Sequence, residues 1–285
     1  MILKRKPEWL KIRLSNNVEY AKVSELISKN GLHTICSSGK CPNQAECWNR
    51  KTATFMILGD ICTRACKFCA TKTGKPQEYD INEPIKIARS VAIMGLKHCV
   101  ITSVTRDDLA DGGSKHWANT IEAIRENNKN TSIEVLIPDF NGNIEQIDTV
   151  LQAKPNIVGH NIETVERLST SIRSKATYKQ SLQVINYIAS KGFISKSGLM
   201  LGLGESQQEI IDTITDLKNA GCSILTMGQY LQPSLKHAPV VDYISPSDFD
   251  FYKTKALEIG LKYVESGPLV RSSYMADKAM DSCCR

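Results

Sequence analysis

The stretch Thr54-Phe55-Met56-Ile57-Leu58-Gly59-Asp60-Ile61-Cys62-Thr63-Arg64-Ala65-Cys66-Lys67-Phe68-Cys69 decides the fold, because it joins a short apolar run to three closely spaced cysteines. The run Thr54–Leu58 is bounded by glycine and polar residues, which indicates a strand buried on both faces. Active sites of parallel β/α folds lie at the carboxyl ends of their strands. We therefore expect a parallel β/α fold with a cysteine site directly after its first strand.

The same pattern, an apolar run followed by a loop and an amphipathic segment, repeats from about residue 52. It predicts further strands at 99–104, 133–137, 156–160, 198–203 and 223–227. Glycines 95, 192, 221 and 260 are placed to end a helix ahead of a strand, the last one before residues 261–264. Six parallel units with right-handed connections favour an α/β fold, a partial (β/α)6 TIM-type barrel, over a doubly wound sheet. The pattern alone leaves the doubly wound sheet open.

Two helix starts are predicted in detail. Ser206–Glu209 is a capping box ahead of an apolar helical stripe, and Ser245-Pro246 matches an N-cap followed by proline at the first helical position.

The segments outside the repeat are predicted to be appendages. We therefore divide the chain into an N-terminal extension (1–51), the barrel (52–265) and a C-terminal tail (266–285).

The composition is typical of a soluble globular protein. The 285 residues are 41% hydrophobic and 23% charged, and the net charge is +6. No apolar run reaches the ~18 residues of a membrane span, and the N-terminus lacks the apolar core of a secretory signal. We expect a cytoplasmic protein, in which the ten cysteines serve as ligands more often than as disulfides.

The mild positive charge has two interpretations. It can be a solvated surface or a patch that docks an acidic protein partner. No nucleic-acid motif is visible, so neither nucleic acid nor a membrane is expected as a partner.

Two cysteine triplets carry the chemistry. The second, Cys62-x3-Cys66-x2-Cys69, follows the first predicted strand, and the first, Cys36-x4-Cys41-x5-Cys47, precedes it. Three thiolates are one ligand short of a closed zinc site and also of a fully ligated [4Fe–4S] cluster. Zinc would need a fourth ligand, and none lies at C-x-x-C spacing. Each triplet could therefore hold a cluster with one iron open to another ligand.

Other polar segments fall at predicted strand ends. Gly198–Glu205 fails as a dinucleotide fingerprint because Gln207 occupies the third glycine position, so its glycines more plausibly let a ligand approach the backbone. The acidic loop Val104–Gly113 is either functional or a solvated surface loop. His160, Asn161 and Glu163 end the fourth predicted strand, with polar atoms expected at the same mouth.

The second triplet resembles that of the radical S-adenosylmethionine superfamily. The resemblance implies a [4Fe–4S] cluster on Cys62, Cys66 and Cys69, whose fourth iron is chelated by S-adenosylmethionine (SAM). An electron from the cluster cleaves SAM, and the 5′-deoxyadenosyl radical takes hydrogen from unreactive carbon. Residues that the resemblance assigns to SAM binding are Phe68 beside the adenine, Asn161, Glu163, Arg173, Gly204 and Glu205.

Further motifs narrow the resemblance. They are the first triplet, Lys6–Leu10, the Asp107–Gly113 loop, Gly228–Pro233, Ser266–Arg271 and Arg271-Ser272-Ser273-Tyr274. Together they resemble the lipoyl synthases over nearly the full length. This implies a radical enzyme, a sulfurtransferase that inserts sulfur at carbons 6 and 8 of an octanoyl chain held on a carrier-protein lysine. A second, auxiliary [4Fe–4S] cluster on Cys36, Cys41 and Cys47 would give up its sulfide.

The implied partners are octanoylated lipoyl carrier domains, such as a 2-oxoacid dehydrogenase subunit or the glycine cleavage H protein. A ferredoxin- or flavodoxin-type reductant and an iron–sulfur carrier would also be needed. Nothing in the sequence asks for a partner subunit, and a monomer is expected.

From the family, Ser273 is expected as the fourth auxiliary-cluster ligand, with Ser272 as the alternative and Arg271 contacting the cluster. A hard hydroxyl oxygen matches iron in a thiolate cluster poorly, so that iron should leave easily. The chain departs from the family at Met275, usually histidine, and at Ser174, where relatives often carry proline after Arg173.

Two other functions stay in view. A methylthiotransferase also has three cysteines ahead of its radical triplet, but in a separate α/β domain and usually with a C-terminal RNA-binding barrel. An iron–sulfur carrier or sensor would not need the Gly198–Glu205 segment. Of the remaining cysteines, Cys99 and Cys222 are expected as buried thiols in strands, and Cys283 and Cys284 as frayed, exposed ones.

Overall fold

The computed structural model describes residues 5–12 and 18–283. Its strands are β1 (His33–Thr34), β2 (Thr54–Ile57), β3 (Ile61–Cys62), β4 (Lys72–Thr73), β5 (His98–Ser103), β6 (Ser132–Leu136), β7 (Ile157–Gly159), β8 (Ile194–Leu201), β9 (Ile224–Gln229) and β10 (Tyr263–Gly267). The helices are α1 (Val18–Lys29), α2 (Ile35–Ser38), α3 (Gln44–Asn49), α4 (Glu83–Met94), α5 (Ser114–Asn127), α6 (Ile144–Gln152), α7 (Glu166–Ile172), α8 (Tyr178–Ser190), α9 (Gln207–Asn219), α10 (Pro246–Ile259) and α11 (Ala276–Cys283).

One eight-stranded sheet organises the fold, in the order β1-β2-β5-β6-β7-β8-β9-β10. β1 is antiparallel to β2, and the other neighbours are parallel. Within the described ranges β1 and β10 are free edges, so the sheet remains open. The predicted α/β fold with an open, partial barrel is confirmed. The short strands β3 and β4 pair beside the second cysteine triplet.

The strand boundaries differ from the expectation at the polar ends. β8 begins at Ile194, four residues early, because Ser195, Lys196 and Ser197 are buried in the sheet despite their polarity. β10 runs to Gly267, beyond the boundary drawn at 265, and it makes seven parallel strands where six units were expected. The Ser206 capping box and the Ser245 cap with Pro246 are confirmed.

The two faces of the sheet have different chemistry. Alternate strand residues point to opposite faces, and the outward set, such as Ile101 and Leu225, packs with the helices in the apolar core. The inward set includes charged groups. Lys196 on β8 lies 2.6 Å from Glu134 on β6, and both are buried. A polar inner face leaves a lumen that can receive ligands, in place of a core filled by apolar side chains.

The tail closes the amino ends of the strands. In α11, Ala279, Met280 and Cys283 pack against Ile157 and Ile224, the first residues of β7 and β9. The expectation of a frayed, exposed Cys283 is therefore wrong, because this helix docks on the barrel base. Cys284 lies outside the described residues.

Buried cysteines fill the sheet elsewhere. Cys99 on β5 is fully buried, as expected, and burial raises the pKa of its thiol to about 12. Cys222 is also buried, but it precedes β9 and is not part of it.

Gly228 on β9 allows the tail to dock. A Cβ there would lie 2.1 Å from the carbonyl oxygen of Val270, a backbone atom. We expect Gly228→Ala to lower the free energy of unfolding by about 1–3 kcal/mol and to release the tail. Thermal unfolding and limited proteolysis with mass spectrometry measure both effects. The matched control is Gly267→Ala, whose Cβ would make an ordinary 3.5 Å contact with Val270. Equal behaviour of the two variants would contradict the expected clash.

Candidate active site with two cysteine clusters

The second triplet lies at the carboxyl end of the barrel, as predicted. Cys62 ends β3, and its sulfur accepts hydrogen bonds at 3.4 Å from the backbone N–H groups of Arg64 and Thr105. The hydroxyl of Ser174, at the position where the family often has proline, is 3.6 Å from the sulfur of Cys66. Burial raises the pKa of the Cys69 thiol, and the negative charges of the nearby Cys66 and Cys62 raise it further. Hydrogen-bond donors aimed at sulfur suit thiolate ligands.

Neighbouring loops hold the triplet loop in place. The N–H of Lys67 donates to Ile172 at the end of α7, and the carbonyl of Lys67 accepts from Ala238, both at 2.8 Å. The ring of His237 is 3.0 Å from the Cys69 carbonyl. The cysteines are therefore fixed against two different βα loops.

A buried ion-pair network anchors the loop on its other side. The Arg64 guanidinium, 8% exposed, lies 2.9 Å from Asp107 and 2.8 Å from Asp139. Burial alone would raise the pKa of Asp139, but the hydrogen bond and charge of Arg64 outweigh it, and the pKa is lowered. Asn141 donates to Asp107 at 3.0 Å. The acidic loop Val104–Gly113 is thus partly structural, since Asp107 holds the triplet loop.

The residues expected around the adenine are brought together. Phe68 packs in an apolar cluster with Ile172, Leu203 and Tyr230, and Leu203 lies beside Gly204. Gly204 has a positive φ of 106°. The Glu205 carboxylate accepts from the N–H groups of Gly202 and Leu203 and so shapes its own loop. Burial raises the pKa of Glu205 although these donors oppose it.

Polar groups also meet inside the lumen. Asn161 donates to Glu163 at 3.1 Å and to the Ser272 hydroxyl at 3.0 Å. Burial raises the pKa of Glu163. The charge of Arg173 and the hydrogen bond from Asn161 act in the opposite direction but do not cancel this shift. The Arg173 side chain is 9% exposed and donates to Ser181 at 2.7 Å. Asn161 and Glu163 thus meet at the inner face, and the charge of Arg173 lies in the wall behind Glu163.

His160 does not open to the mouth as expected. Its ring is buried between the Ile137 carbonyl and the Ser181 hydroxyl, both at 3.0 Å. Burial, with the charge of Arg173, lowers its pKa to about 4. It is a neutral structural residue.

The first triplet lies at the other end of the lumen, on two short helices. Cys36 is on α2, Cys47 is on α3, and Cys41 lies between them with its N–H bonded to the Cys36 carbonyl at 2.9 Å. With Arg271 and Ser273 they line a cavity of about 240 Å³, which has room for a group of several heavy atoms.

These thiols are hard to ionise without a cation. Burial, and then the charges of Cys36 and Cys41, raise the pKa of Cys47 to about 12. Burial is also the main cause of the raised pKa values of Cys36 and Cys41. Metal binding must therefore expel protons from all three.

Two buried donors fit an anionic cluster in this cavity. The indole Nε1 of Trp48 is buried without a hydrogen-bond partner. The Arg271 guanidinium donates to the Val270 carbonyl at 2.6 Å. Burial lowers the pKa of Arg271, and the negative charge of Cys41 opposes this shift. A thiolate-ligated iron–sulfur cluster carries the negative charge that these donors lack. Within the described residues, no three His, Cys, Asp or Glu side chains converge on a single metal ion.

The two tail serines are separated by the structure. Ser273 lines the cysteine cavity, and its Oγ is 2.7 Å from the Thr54 hydroxyl. Ser272 faces Asn161 in the lumen. The geometry therefore favours Ser273 over Ser272 as the serine ligand, and its role as a ligand stays a prediction.

Side-chain contacts join the tail to the first triplet. Asn43 donates to the Leu269 carbonyl at 2.7 Å, and the Tyr274 hydroxyl donates to Glu46 at 3.1 Å. Arg50 approaches the Met275 sulfur at 2.8 Å, so methionine occupies the family's histidine position in contact with the N-terminal segment.

Another cavity, of about 490 Å³, lies elsewhere. It opens between the loops at residues 105–112 and 138–146, beside the Arg64 network. None of the six triplet cysteines is in its wall, so the cluster chemistry does not lie there.

Sequence reasoning missed Thr54, Trp48 and Arg64. The first two flank the first triplet at positions that carry no motif, and their proximity depends on how α3 packs on β2. Arg64 stood between two of the cysteines, and its buried acidic partners lie 43 and 75 positions away in loops.

The comparisons with known proteins agree with this geometry. Residues 56–217 match the family model of the radical SAM superfamily. The chain is 56% identical to the lipoyl synthase of Bacteroides thetaiotaomicron, over 96% of this chain and 97% of that protein. It is 52% identical to a mitochondrial lipoyl synthase of Nematostella vectensis, over 96% and 94% of the two chains.

The chain belongs to the lipoyl synthase family. As a member of the radical SAM superfamily it is an enzyme that uses a [4Fe–4S] cluster and SAM.

None of the helices in the described ranges has the length and apolar character that a bilayer span requires.

Solved structures support the fold at low identity. Methylornithine synthase superposes with a TM-score of 0.57 at 12% identity, over 89% of this chain and 82% of that one. Streptococcus suis SuiB bound to its precursor peptide SuiA gives 0.59 at 10% identity, over 91% and 55%. These similarities concern the fold alone.

Arg64→Met should leave the buried Asp139 carboxylate without its cation, and should leave Asp107 with Lys175 at 3.4 Å. We expect a loss of about 3–5 kcal/mol in the free energy of unfolding at neutral pH. Because the folded-state pKa of Asp139 is depressed, its stabilisation is present above an unfolded-state pKa of about 3.9 and is lost as the pH falls through the folded value. The deficit of the variant should therefore shrink in acid.

Denaturant unfolding of cluster-free protein across pH measures this dependence. Arg167→Met is the control, since the Arg167–Glu209 pair is largely exposed, and its loss should be much smaller. A deficit of Arg64→Met that does not change with pH would contradict the role given to Asp139.

Proposed function

We propose that the protein inserts two sulfur atoms, at carbons 6 and 8, into an octanoyl chain held in amide linkage on a lysine of a lipoyl carrier domain. The observation that carries the proposal is the cavity in which Cys36, Cys41 and Cys47 meet Ser273, separated along the lumen from the radical triplet. The relatives named lipoyl synthase support it over nearly the whole chain.

Cys62, Cys66 and Cys69 would hold the radical SAM cluster. With SAM bound, that cluster supplies the 5′-deoxyadenosyl radical that removes hydrogen from carbon. The backbone donors on Cys62 keep the thiolate in place. Glu163 and Asn161 offer a carboxylate and an amide to the polar groups of SAM, and Phe68 with the Gly204–Glu205 loop forms the apolar and backbone wall for its adenine.

The auxiliary cluster is a substrate in this scheme. Each abstraction forms 5′-deoxyadenosine and leaves a carbon radical, which forms a C–S bond with a bridging sulfide while one iron of the cluster is reduced by one electron. Two abstractions consume two SAM molecules and two sulfides. Ser273, a hard oxygen ligand, would release its iron readily and so expose the sulfide.

The octanoyl chain would have to reach both triplets. They lie at the two ends of the lumen, and the Asn161–Ser272 contact lies between them, bonded at 3.0 Å. An octanoyl chain that enters from the carboxyl end would pass this contact, which brings its carbons between SAM and the sulfide source.

We further infer the partners and the compartment. The substrates would be carrier domains of a 2-oxoacid dehydrogenase subunit or the glycine cleavage H protein. A ferredoxin or flavodoxin would supply electrons, and an iron–sulfur carrier would rebuild the consumed cluster. The nine cysteines of the described residues are free thiols, which suits the reducing cytoplasm.

The competing functions fit less well. A methylthiotransferase places its extra cysteines in a separate domain, whereas here they lie on α2 and α3, next to β1 of the barrel sheet. A carrier or sensor would have no use for the polar lumen between the two triplets.

The direct test is anaerobic incubation of the fully loaded protein with SAM, dithionite and an octanoyl-lysyl peptide. We expect 5′-deoxyadenosine and a peptide that carries two added sulfur atoms, both detected by mass spectrometry. Protein loaded with both clusters that forms no 5′-deoxyadenosine would contradict the radical mechanism.

Ser273→Cys should separate the two half-reactions. A thiolate ligand holds the iron more firmly, so 5′-deoxyadenosine should still form while sulfur transfer falls by more than about tenfold, a barrier change of about 1.4 kcal/mol. Ser272→Cys is the matched control and should retain more transfer. If both variants transfer sulfur like the wild type, the labile-ligand role is wrong.

A further inference from the structure

Thr54 contacts the tail serine at the cavity of the first triplet. It is the first residue of β2, is 6% exposed and forms part of the cavity wall. Its hydroxyl donates to the Ser273 oxygen at 2.7 Å. Cys36 lines the same cavity. One threonine of the sheet therefore binds the tail serine at the cavity that the N-terminal cysteines line.

The two partners belong to different parts of the chain. Thr54 lies in the sheet, where it pairs with Val100 of β5. Ser273 lies in a turn between β10 and α11, outside regular secondary structure. The hydrogen bond therefore ties a tail oxygen to a strand of the sheet.

The geometry of the donor also matters. The Thr54 hydroxyl donates to the Ser273 oxygen at 2.7 Å, a normal length for an O–H···O hydrogen bond. A hydrogen bond from a residue that is paired in the sheet limits where the serine oxygen can lie.

We propose that Thr54 is a positioning residue for the Ser273 ligand, because its hydroxyl holds the serine oxygen at the cavity wall. This role rests on the proposed function. Without the hydroxyl, the fourth iron of the auxiliary cluster should be lost at rest, before any substrate is bound.

The test compares cluster-loaded wild type, Thr54→Val and Thr54→Ser. Valine keeps the shape and removes the donor, whereas serine keeps the donor. We expect Thr54→Val to lose one iron per chain and to show the electron paramagnetic resonance signal of an oxidised three-iron cluster, with the radical SAM cluster unchanged. Thr54→Ser should keep its full iron. Thr54→Ala removes the same donor and should show the same deficit.

Thr102→Val controls for the loss of any buried strand hydroxyl. Thr102 lies on the neighbouring strand β5, and its hydroxyl donates to the Leu136 carbonyl at 3.1 Å. This variant should keep both clusters complete. An iron deficit equal to that of Thr54→Val would overturn the specific role of Thr54.

A double variant tests whether Thr54 acts through the serine oxygen. A cysteine ligand does not need the donor, so Thr54→Val should cost no iron in the Ser273→Cys background. A complete cluster in both Thr54→Val and Thr54→Ala, or an equal loss of iron in the Ser273→Cys background, would overturn this role alone. A wild type that binds only one cluster would overturn the proposed function as well, so the two failures are distinguishable.

Discussion

The hydrogen bond between Thr54 and Ser273 joins residues that are 219 positions apart, and the auxiliary site depends on this closure. The three cysteines of the first triplet come from residues 36–47, but the serine that lines their cavity comes from the tail. The sheet brings the two together, because the tail docks across β9 at Gly228 and reaches the start of β2. A site assembled in this way exists only when the whole barrel is folded.

The open sheet places the two triplets at opposite ends of one inner face. The radical triplet lies at the carboxyl ends of the strands, and the first triplet lies towards their amino ends, beside His98 and Thr54. The inner face between them carries polar groups such as Asn161 and the Glu134–Lys196 pair. The reaction we propose would need the substrate to reach both ends of this face.

Much of this arrangement could be predicted from the sequence. Regular spacing of apolar runs predicted the parallel sheet, which is confirmed, and the cysteine spacings placed the second triplet after the first long strand. The ligand role that the family motifs assign to Ser273 stays a prediction. Contacts set by tertiary packing could not be predicted. Arg64 finds Asp139 only when two loops meet, and His160 is neutral because α8 covers it, although strand-end position suggested an open site. The start of β8 could not be predicted because its first residues are mostly polar, and strand propensity does not indicate which polar side chains are buried inside the barrel.

The origin of the inserted sulfur tests the central relation between the two triplets. The protein is loaded with clusters built from heavy-isotope sulfide, freed of excess sulfide and turned over once with an octanoyl-lysyl peptide in unlabelled buffer. Both sulfur atoms of the product should carry the heavy isotope, because Cys36, Cys41, Cys47 and Ser273 present the cluster that is consumed. A product that carries the light isotope, drawn from sulfide added to the solution, would contradict the role of the first triplet as the sulfur source.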